Sequence, residues 1–207
     1  RKIGNIISYA EKYYLEGIDE LIITNVTGSL YKTKLDVKIL KEIRKIVHIP
    51  ISGGGGINSL EDAEILLNNG CDKIIINSII HQNIKEAKKI IKHIGSSSVV
   101  GSIQYTDVNS LNTHFRMGRD NTGICLKDTI RKYNEIGVGE ILLQFIDRDG
   151  KSNGYEVEVI NQICNSVNIP VIACSGAGNQ RQILECFNLC KAEAIAAGNI
   201  FHFTENA

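Results

Sequence analysis

The 207-residue chain is long enough to bury one sizeable core, and at 43% apolar and 22% charged residues its composition is ordinary for a globular protein. Lys+Arg and Asp+Glu are equal at 23, which excludes a bulk field drawing the chain to nucleic acid or to a membrane surface. Any anionic ligand must be held by a local site.

The first predicted element is a helix over Ile3–Glu16, followed by a strand over Leu21–Val26. Then come a helix over Asp36–Val47, a strand over Ile49–Ser52, a helix over Leu60–Asn68, a strand over Lys73–Ile76 and a helix over Asn83–Ile94. The second half repeats the alternation: strand Ser98–Gln104, helix Cys125–Ile136, strand Glu140–Ile146, helix Glu156–Ser166, strand Val171–Cys174, helix Arg181–Leu189 and strand Ala192–Ala197. In Asp36–Val47 the residues Val37, Leu40, Ile43 and Val47 fall on one helical face. The strands are apolar almost throughout, as expected of a parallel sheet covered by helices. This order predicts an α/β fold with right-handed crossovers, here a single (β/α)₈ barrel domain over 1–207.

An internal repeat supports two fused half-barrels. Ile49-Pro50, a glycine cluster, a helix and a strand lead to Asn77-Ser78 and His81; roughly 120 residues on, Ile169-Pro170 and the same order lead to Gly198-Asn199 and His202. The period is too long for a solenoid. Seven strands are counted and the chain opens on a helix, so a first βα segment of about 30 residues or fewer is expected to be missing from this chain.

The glycine clusters Gly53–Gly56 and Ser175-Gly176-Ala177-Gly178 directly follow strands. Glycine lets backbone approach a ligand closely, and N–H groups with a following helix make an anion site. One such cluster is explained by an ordinary tight turn. Two, each paired with a second strand end bearing Asn77-Ser78 or Gly198-Asn199, point to a ligand with two phosphates. Ile146-Asp147-Arg148-Asp149-Gly150 also follows a strand; it reads as an Asp-Gly turn, or as part of the strand-end face where barrels hold their sites.

The cysteines Cys71, Cys125, Cys164, Cys174, Cys186 and Cys190 form no Cys-x-x-Cys pair and have no histidine at zinc spacing. They read as reduced thiols of a cytoplasmic protein, with no metal and no cofactor expected. Cys186 and Cys190, four apart on a predicted helix, read as packing. No signal peptide and no bilayer-spanning apolar run is present, and no nucleic-acid or membrane partner is expected.

Across nearly its whole length the chain resembles HisF, the cyclase subunit of imidazole glycerol phosphate synthase. The segments that carry this are GIDELIITNVTGS, SGGGGINSLEDAEILLNNGCDKIIINS, NTGICLKDTIRKYNEIGVGEILLQFIDRDGKSNGYEVEVI and IPVIACSGAGNQ with AAGNIFHF. The related isomerase HisA shares the half-barrel plan but fits these segments less well. The resemblance implies a barrel acting on a bis-phosphorylated aminoimidazole-carboxamide ribonucleotide, with ammonia delivered through the core from a HisH-type glutaminase. It implies one phosphate site at Gly56, Asn77 and Ser78, and another at Asp149, Gly150, Gly176, Gly198 and Asn199. It implies an ammonia gate of Glu20, Lys73 and Glu140.

The sequence also departs from that family. The strand that would carry the first catalytic aspartate is not in the chain. At the position of the second stands Gln104, which cannot take up a proton near neutral pH. General acid–base catalysis contributes about 10²–10⁴-fold, so this change is expected to impair ring closure. Asn25 stands where HisF has an aspartate and Gln144 where it has a threonine. Gln104, Asn25 and Asp149 are the candidate catalytic-face residues. Three such substitutions beside retained phosphate motifs resemble second HisF copies found with surface-polysaccharide genes, which are thought to pass ammonia to a sugar amidotransferase.

Overall fold

The computed structural model describes residues 4–106, 111–116 and 118–203. The chain divides into two compact units, Arg1–Val100 and Gly101–Ala207.

In the first unit, α1 (Ile6–Leu15) is followed by β1 (Leu21–Thr24), a short α2 (Gly28–Tyr31), α3 (Val37–Arg44), β2 (Ile51–Gly54), α4 (Leu60–Leu67), β3 (Lys73–Ile76), a short α5 (Ser78–Gln82) and α6 (Ile84–Ile94). The predicted start of the first helix at Ile3 lies outside the described residues. β1, β2 and β3 pair in parallel, with Leu21 opposite Ile51, Thr24 opposite Gly54 and Gly54 opposite Ile75. Ile51, Ile74 and Ile76 of the sheet and Leu40, Ile43, Ala63 and Ile90 of the helices are buried, so the apolar faces read from the sequence form this unit's core.

The predicted strand Ile49–Ser52 is displaced to Ile51–Gly54 because of its proline. Pro50 has no N–H to give a ladder, and its carbonyl instead receives the Leu21 N–H at 2.9 Å. Gly54, paired with Ile75, must be glycine, because a Cβ there would lie 2.8 Å from both Cβ and O of Ile75.

The second unit holds β4 (Val99–Thr106), β5 (Asn112–Phe115), β6 (Asp120–Cys125), α7 (Leu126–Ile136), β7 (Glu140–Phe145), α8 (Val157–Cys164), β8 (Val171–Cys174), α9 (Gln180–Leu189), β9 (Ala194–Ala196) and α10 (Asn199–Phe203). β4 lies beside β7, and β7, β8 and β9 are parallel neighbours. β5 and β6 form an antiparallel hairpin on β4 that the sequence reading did not anticipate. Its base is a buried hydroxyl cluster, in which Thr113 Oγ1 contacts Thr122 Oγ1 at 2.6 Å and Thr129 Oγ1 at 2.8 Å.

Three hydrogen bonds of the first unit recur at matching positions in the second. Leu21 N–H donates to Pro50 O and Ile141 N–H to Pro170 O, both at 2.9 Å. The Asp72 carboxylate accepts from Ile51 N–H, and the Glu193 carboxylate from Val171 N–H, both at 2.8 Å. The N-caps Ser59 and Asn179 accept from the N–H three residues on, at 3.2 and 2.9 Å. Each unit thus follows the plan of half a (β/α)₈ barrel, and the fold class is α/β of that kind.

Candidate functional site

Side chains and backbone at the C-terminal strand ends differ sharply from those at the N-terminal ends. In the first unit, Asn25 follows β1, Gly55-Gly56 follow β2 and Asn77-Ser78 follow β3. These strands are neighbours in register, so the structure brings Gly56, Asn77 and Ser78 to one edge. Gly55 and Gly56 have φ of +96° and +79°. A Cβ on Gly56 would stand 2.2 Å from the Thr33 carbonyl oxygen, so close approach as well as backbone conformation demands glycine. Asn77 Oδ1 is buried with no hydrogen-bond partner among the described residues. An unsatisfied buried acceptor is uncommon, and at a strand end it suits a ligand-binding position.

Two side chains hold this edge together. Asp62, in the first turn of α4, is almost wholly buried, accepts from Asn58 N–H at 2.9 Å and pairs with Lys34. Burial pushes its carboxyl upward, but the bonds from Lys34, Asn58 and Ser59 outweigh that and hold it below the ordinary carboxylate range. Asn25 ties the segment after β1. Its Nδ2 donates to Thr33 Oγ1 at 3.0 Å and to Lys34 O at 3.1 Å, while its Oδ1 accepts from Thr27 N–H at 3.2 Å and Thr27 Oγ1 at 3.1 Å.

The second unit builds a matching edge. Asp149-Gly150 lie beyond β7, Ser175-Gly176 beyond β8 and Gly198-Asn199 beyond β9, and the three strands are neighbours. Gly176 has φ of +106°, and its Cβ would stand 2.1 Å from the Gly154 carbonyl oxygen. Gly154 N–H in turn donates to Gly176 O at 2.9 Å. The guanidinium of Arg148 donates to Gly154 O at 3.0 Å, pairs with Glu156 at 2.5 Å and lies over the Phe145 ring. Where the first unit uses Asp62 to hold Asn58 N–H, the second uses the neutral Gln182, whose Oε1 accepts from Gly178 N–H at 2.8 Å. Asp149 itself is exposed, and Gly150 and Gly198 leave open space where a Cβ would point.

Gln104 lies on β4 within this unit. Its Nε2 donates to Gln144 Oε1 at 3.4 Å, its Oε1 accepts from Gly118 N–H at 3.1 Å, and Ser102 Oγ donates to the same Gln144 oxygen at 3.1 Å. The Cys174 thiol lies nearby, and burial, aided by the Asp149 charge, pushes it up to about 11. Ser102, Gln104, Gln144 and Cys174 therefore make a cluster with no charge at neutral pH. It can hold a ligand by hydrogen bonds, but none of the four is a general base there.

The N-terminal strand ends carry the predicted gate residues. Lys73, first residue of β3, contacts both carboxylate oxygens of Glu20 at 3.3 Å. Glu140 opens β7 in the second unit, at the register position that Glu20 holds in the first. The equivalent of Lys73 there is Ala194, so the lysine is not duplicated.

Lys34, Asp62, Arg148 and Gln182 escaped the sequence reading as site-shaping residues. Ser59-x-x-Asp62 and Asn179-x-x-Gln182 are recognisable capping patterns at the expected places, and were the available signal. Cys186 and Cys190 lie 3.5 Å apart, sulfur to sulfur, both buried, and burial pushes both thiols up, in keeping with packing. Among the described residues no helix is long and apolar enough to cross a membrane.

Duplicated βα units with glycine loops at the C-terminal strand ends and charged residues at the other ends place the protein in the class of half-barrel-repeat α/β barrels. A family model described as histidine biosynthesis protein matches residues 1–206. Imidazole glycerol phosphate synthase subunit HisF of Helicobacter hepaticus is 38% identical over 207 aligned residues, spanning 98% of this chain and 80% of its own. The subunit of the same name from Saccharolobus solfataricus is 37% identical over 200 residues, 96% of this chain and 80% of its own. That of Flavobacterium johnsoniae is 36% identical over 206 residues, 99% and 82% respectively. The chain belongs to the histidine biosynthesis protein family, an enzyme family, and within it groups with HisF.

Proposed function

We propose that the protein is the HisF-type subunit of a cytoplasmic glutamine amidotransferase complex. It takes ammonia from a HisH-type glutaminase, its heterodimer partner. It uses that ammonia to form imidazole glycerol phosphate from a bis-phosphorylated aminoimidazole-carboxamide ribonucleotide. The observation that carries this reading is the duplicated strand-end architecture: each unit sets a positive-φ glycine, Gly56 or Gly176, beside a strand end bearing Asn77 or Asn199. A ligand with a phosphate at each end needs two such places. Gly56, Asn77 and Ser78 hold one phosphate through backbone N–H groups and the Asn and Ser side chains. Gly150, Gly176, Gly198 and Asn199 hold the other, with Asp149 at its border. Lys73, which pairs with Glu20 in the first unit, and Glu140, at the matching strand start of the second, are the gate residues of this reading. The test is product formation from the ribonucleotide and ammonium by the full-length protein: imidazole glycerol phosphate is expected, and none would defeat this reading.

A second reading is favoured by the amides. Gln104 spends both ends of its side chain on Gln144 and Gly118, and Asn25 spends its own on residues 27, 33 and 34. Neither is an acid or base. On this reading the protein is a non-cyclising paralogue that channels ammonia to a sugar amidotransferase in surface-polysaccharide synthesis. It then makes no imidazole product but still activates the glutaminase.

A further inference from the structure

The glycine loops of the two units differ at the residue before Gly56 and Gly176. Gly55, directly after β2, corresponds to Ser175, directly after β8. Both have left-handed backbone, with φ of +96° at Gly55 and +83° at Ser175. A Cβ on Gly55 would stand 2.2 Å from Asn25 O, so the first unit has no room for a side chain there. The second unit carries one under strain. Among the described residues Lys32, Leu111, Arg116 and Ser152 also have positive φ, but between 47° and 57°, near the small left-handed region that L residues tolerate, and none of them is buried. Ser175 lies beyond that region and is only 7% exposed. Its Oγ is buried with no hydrogen-bond partner among the described residues save the weakly bonding thiol of the adjacent Cys174. That thiol lies beside Gln144 and Asp149, so the hydroxyl is on the strand-end face that carries the second glycine loop. Glycine would remove both the strain and the unpaired hydroxyl. A residue that keeps both, at the edge of a ligand face, suits contact with a ligand better than it suits stability.

We propose that Ser175 is a ligand-binding residue of the second anion site: its hydroxyl donates to an oxygen of the bound phosphate, beside the backbone N–H groups of the Gly176 loop. This rests on reading Gly150, Gly176, Gly198 and Asn199 as an anion site. A serine hydroxyl carries one donor and turns to suit its acceptor, so it needs no rearrangement of the loop to reach a phosphate oxygen. The contact adds to the backbone donors and does not replace them. Its removal therefore weakens anion binding without abolishing it. A serine that only fills space behaves differently: glycine in its place relieves the strain and leaves anion binding as it was.

The experiment titrates inorganic sulfate into the full-length wild type, Ser175→Gly and Ser175→Ala, following the Gly176 and Gly56 amide resonances, and records the Tm of each without sulfate. Ser175→Gly is expected to melt about 2–4 °C higher than wild type, because relief of strain outweighs the freedom glycine gains in the unfolded chain. It is expected to bind sulfate at Gly176 about tenfold more weakly, the scale of one lost hydrogen bond to a charged group, with binding at Gly56 unchanged. Ser175→Ala, which keeps the strain and lacks the hydroxyl, is expected to show the same loss of affinity without the gain in Tm. Wild-type affinity at Gly176 in either variant overturns the role of Ser175 alone, since the hydroxyl is absent from both. No shift of the Gly176 amide in the wild type overturns the reading of the second anion site itself, and this role with it.

Discussion

Replacing Gly176 by alanine tests the geometry of the second strand-end loop directly. With φ at +106°, an L side chain is strained before it touches anything, at a cost of roughly 1–3 kcal/mol. The added Cβ would also stand 2.1 Å from Gly154 O and 2.7 Å from Gly154 C, so the neighbouring strand-end segment must move. That movement strains the 2.9 Å bond from Gly154 N–H to Gly176 O and the 3.0 Å bond from Arg148 to Gly154 O. Loss of a hydrogen bond to a charged group costs about 1.5–3 kcal/mol. Together these give a destabilisation of roughly 3–5 kcal/mol, or about 6–20 °C in Tm for a chain of this size. Gly150→Ala is the control: φ is +71°, but no atom lies within 4 Å of the new Cβ, so only the left-handed backbone penalty of about 1–2 kcal/mol remains. Thermal and urea unfolding followed by circular dichroism would read both variants. Equal destabilisation of the two, or less than about 1 kcal/mol for Gly176→Ala, would refute the close-approach argument.

Further outcomes follow from the other contacts. Asp62, held below its ordinary 3.8, contributes stability that is complete above that value and is lost as pH falls through its folded pKa; Asp62→Asn should flatten acid unfolding below about pH 4, and an unchanged acid limb would count against the Lys34 pair. Gln104→Asp should raise ammonia-dependent formation of imidazole glycerol phosphate where the full-length protein supplies a second catalytic carboxylate; wild-type turnover at the rates of its HisF relatives would show that Gln104 is no loss. Phosphate soaked into crystals should lie at Gly56/Asn77/Ser78 and at Gly150/Gly176/Asn199, and density only at the exposed lysines of α6 would contradict both sites.

The alternation of elements was legible because each helix carries an apolar stripe and each strand a β-branched run; β3 and β8 have the bounds that their Ile- and Val-rich segments predict. β1 stops at Thr24 rather than Val26 because Asn25 turns the chain with its own side chain, a contact with residues 33 and 34 that no local pattern encodes. The β5–β6 hairpin was illegible for a similar reason. Asp120–Cys125 is mixed in polarity, and its cohesion comes from Thr113, Thr122 and Thr129 meeting across three elements. The glycine loops were readable as loops, but the reason for glycine, a carbonyl from a distant segment at Cβ distance, belongs to tertiary structure. Gln104 was visible as a missing acid; that its amide also holds Gly118 was not.

On the proposed function a HisH-type glutaminase docks at the strand N-termini, where Lys73 meets Glu20, and delivers ammonia there. Glutamine hydrolysis by a HisH-type glutaminase from the same genome, measured with and without the full-length barrel and with its Lys73→Ala variant, tests it most directly. A co-purifying complex, glutaminase activity stimulated by the barrel, and hydrolysis uncoupled from ammonia delivery in Lys73→Ala are expected. No complex at micromolar concentrations and no stimulation would contradict it.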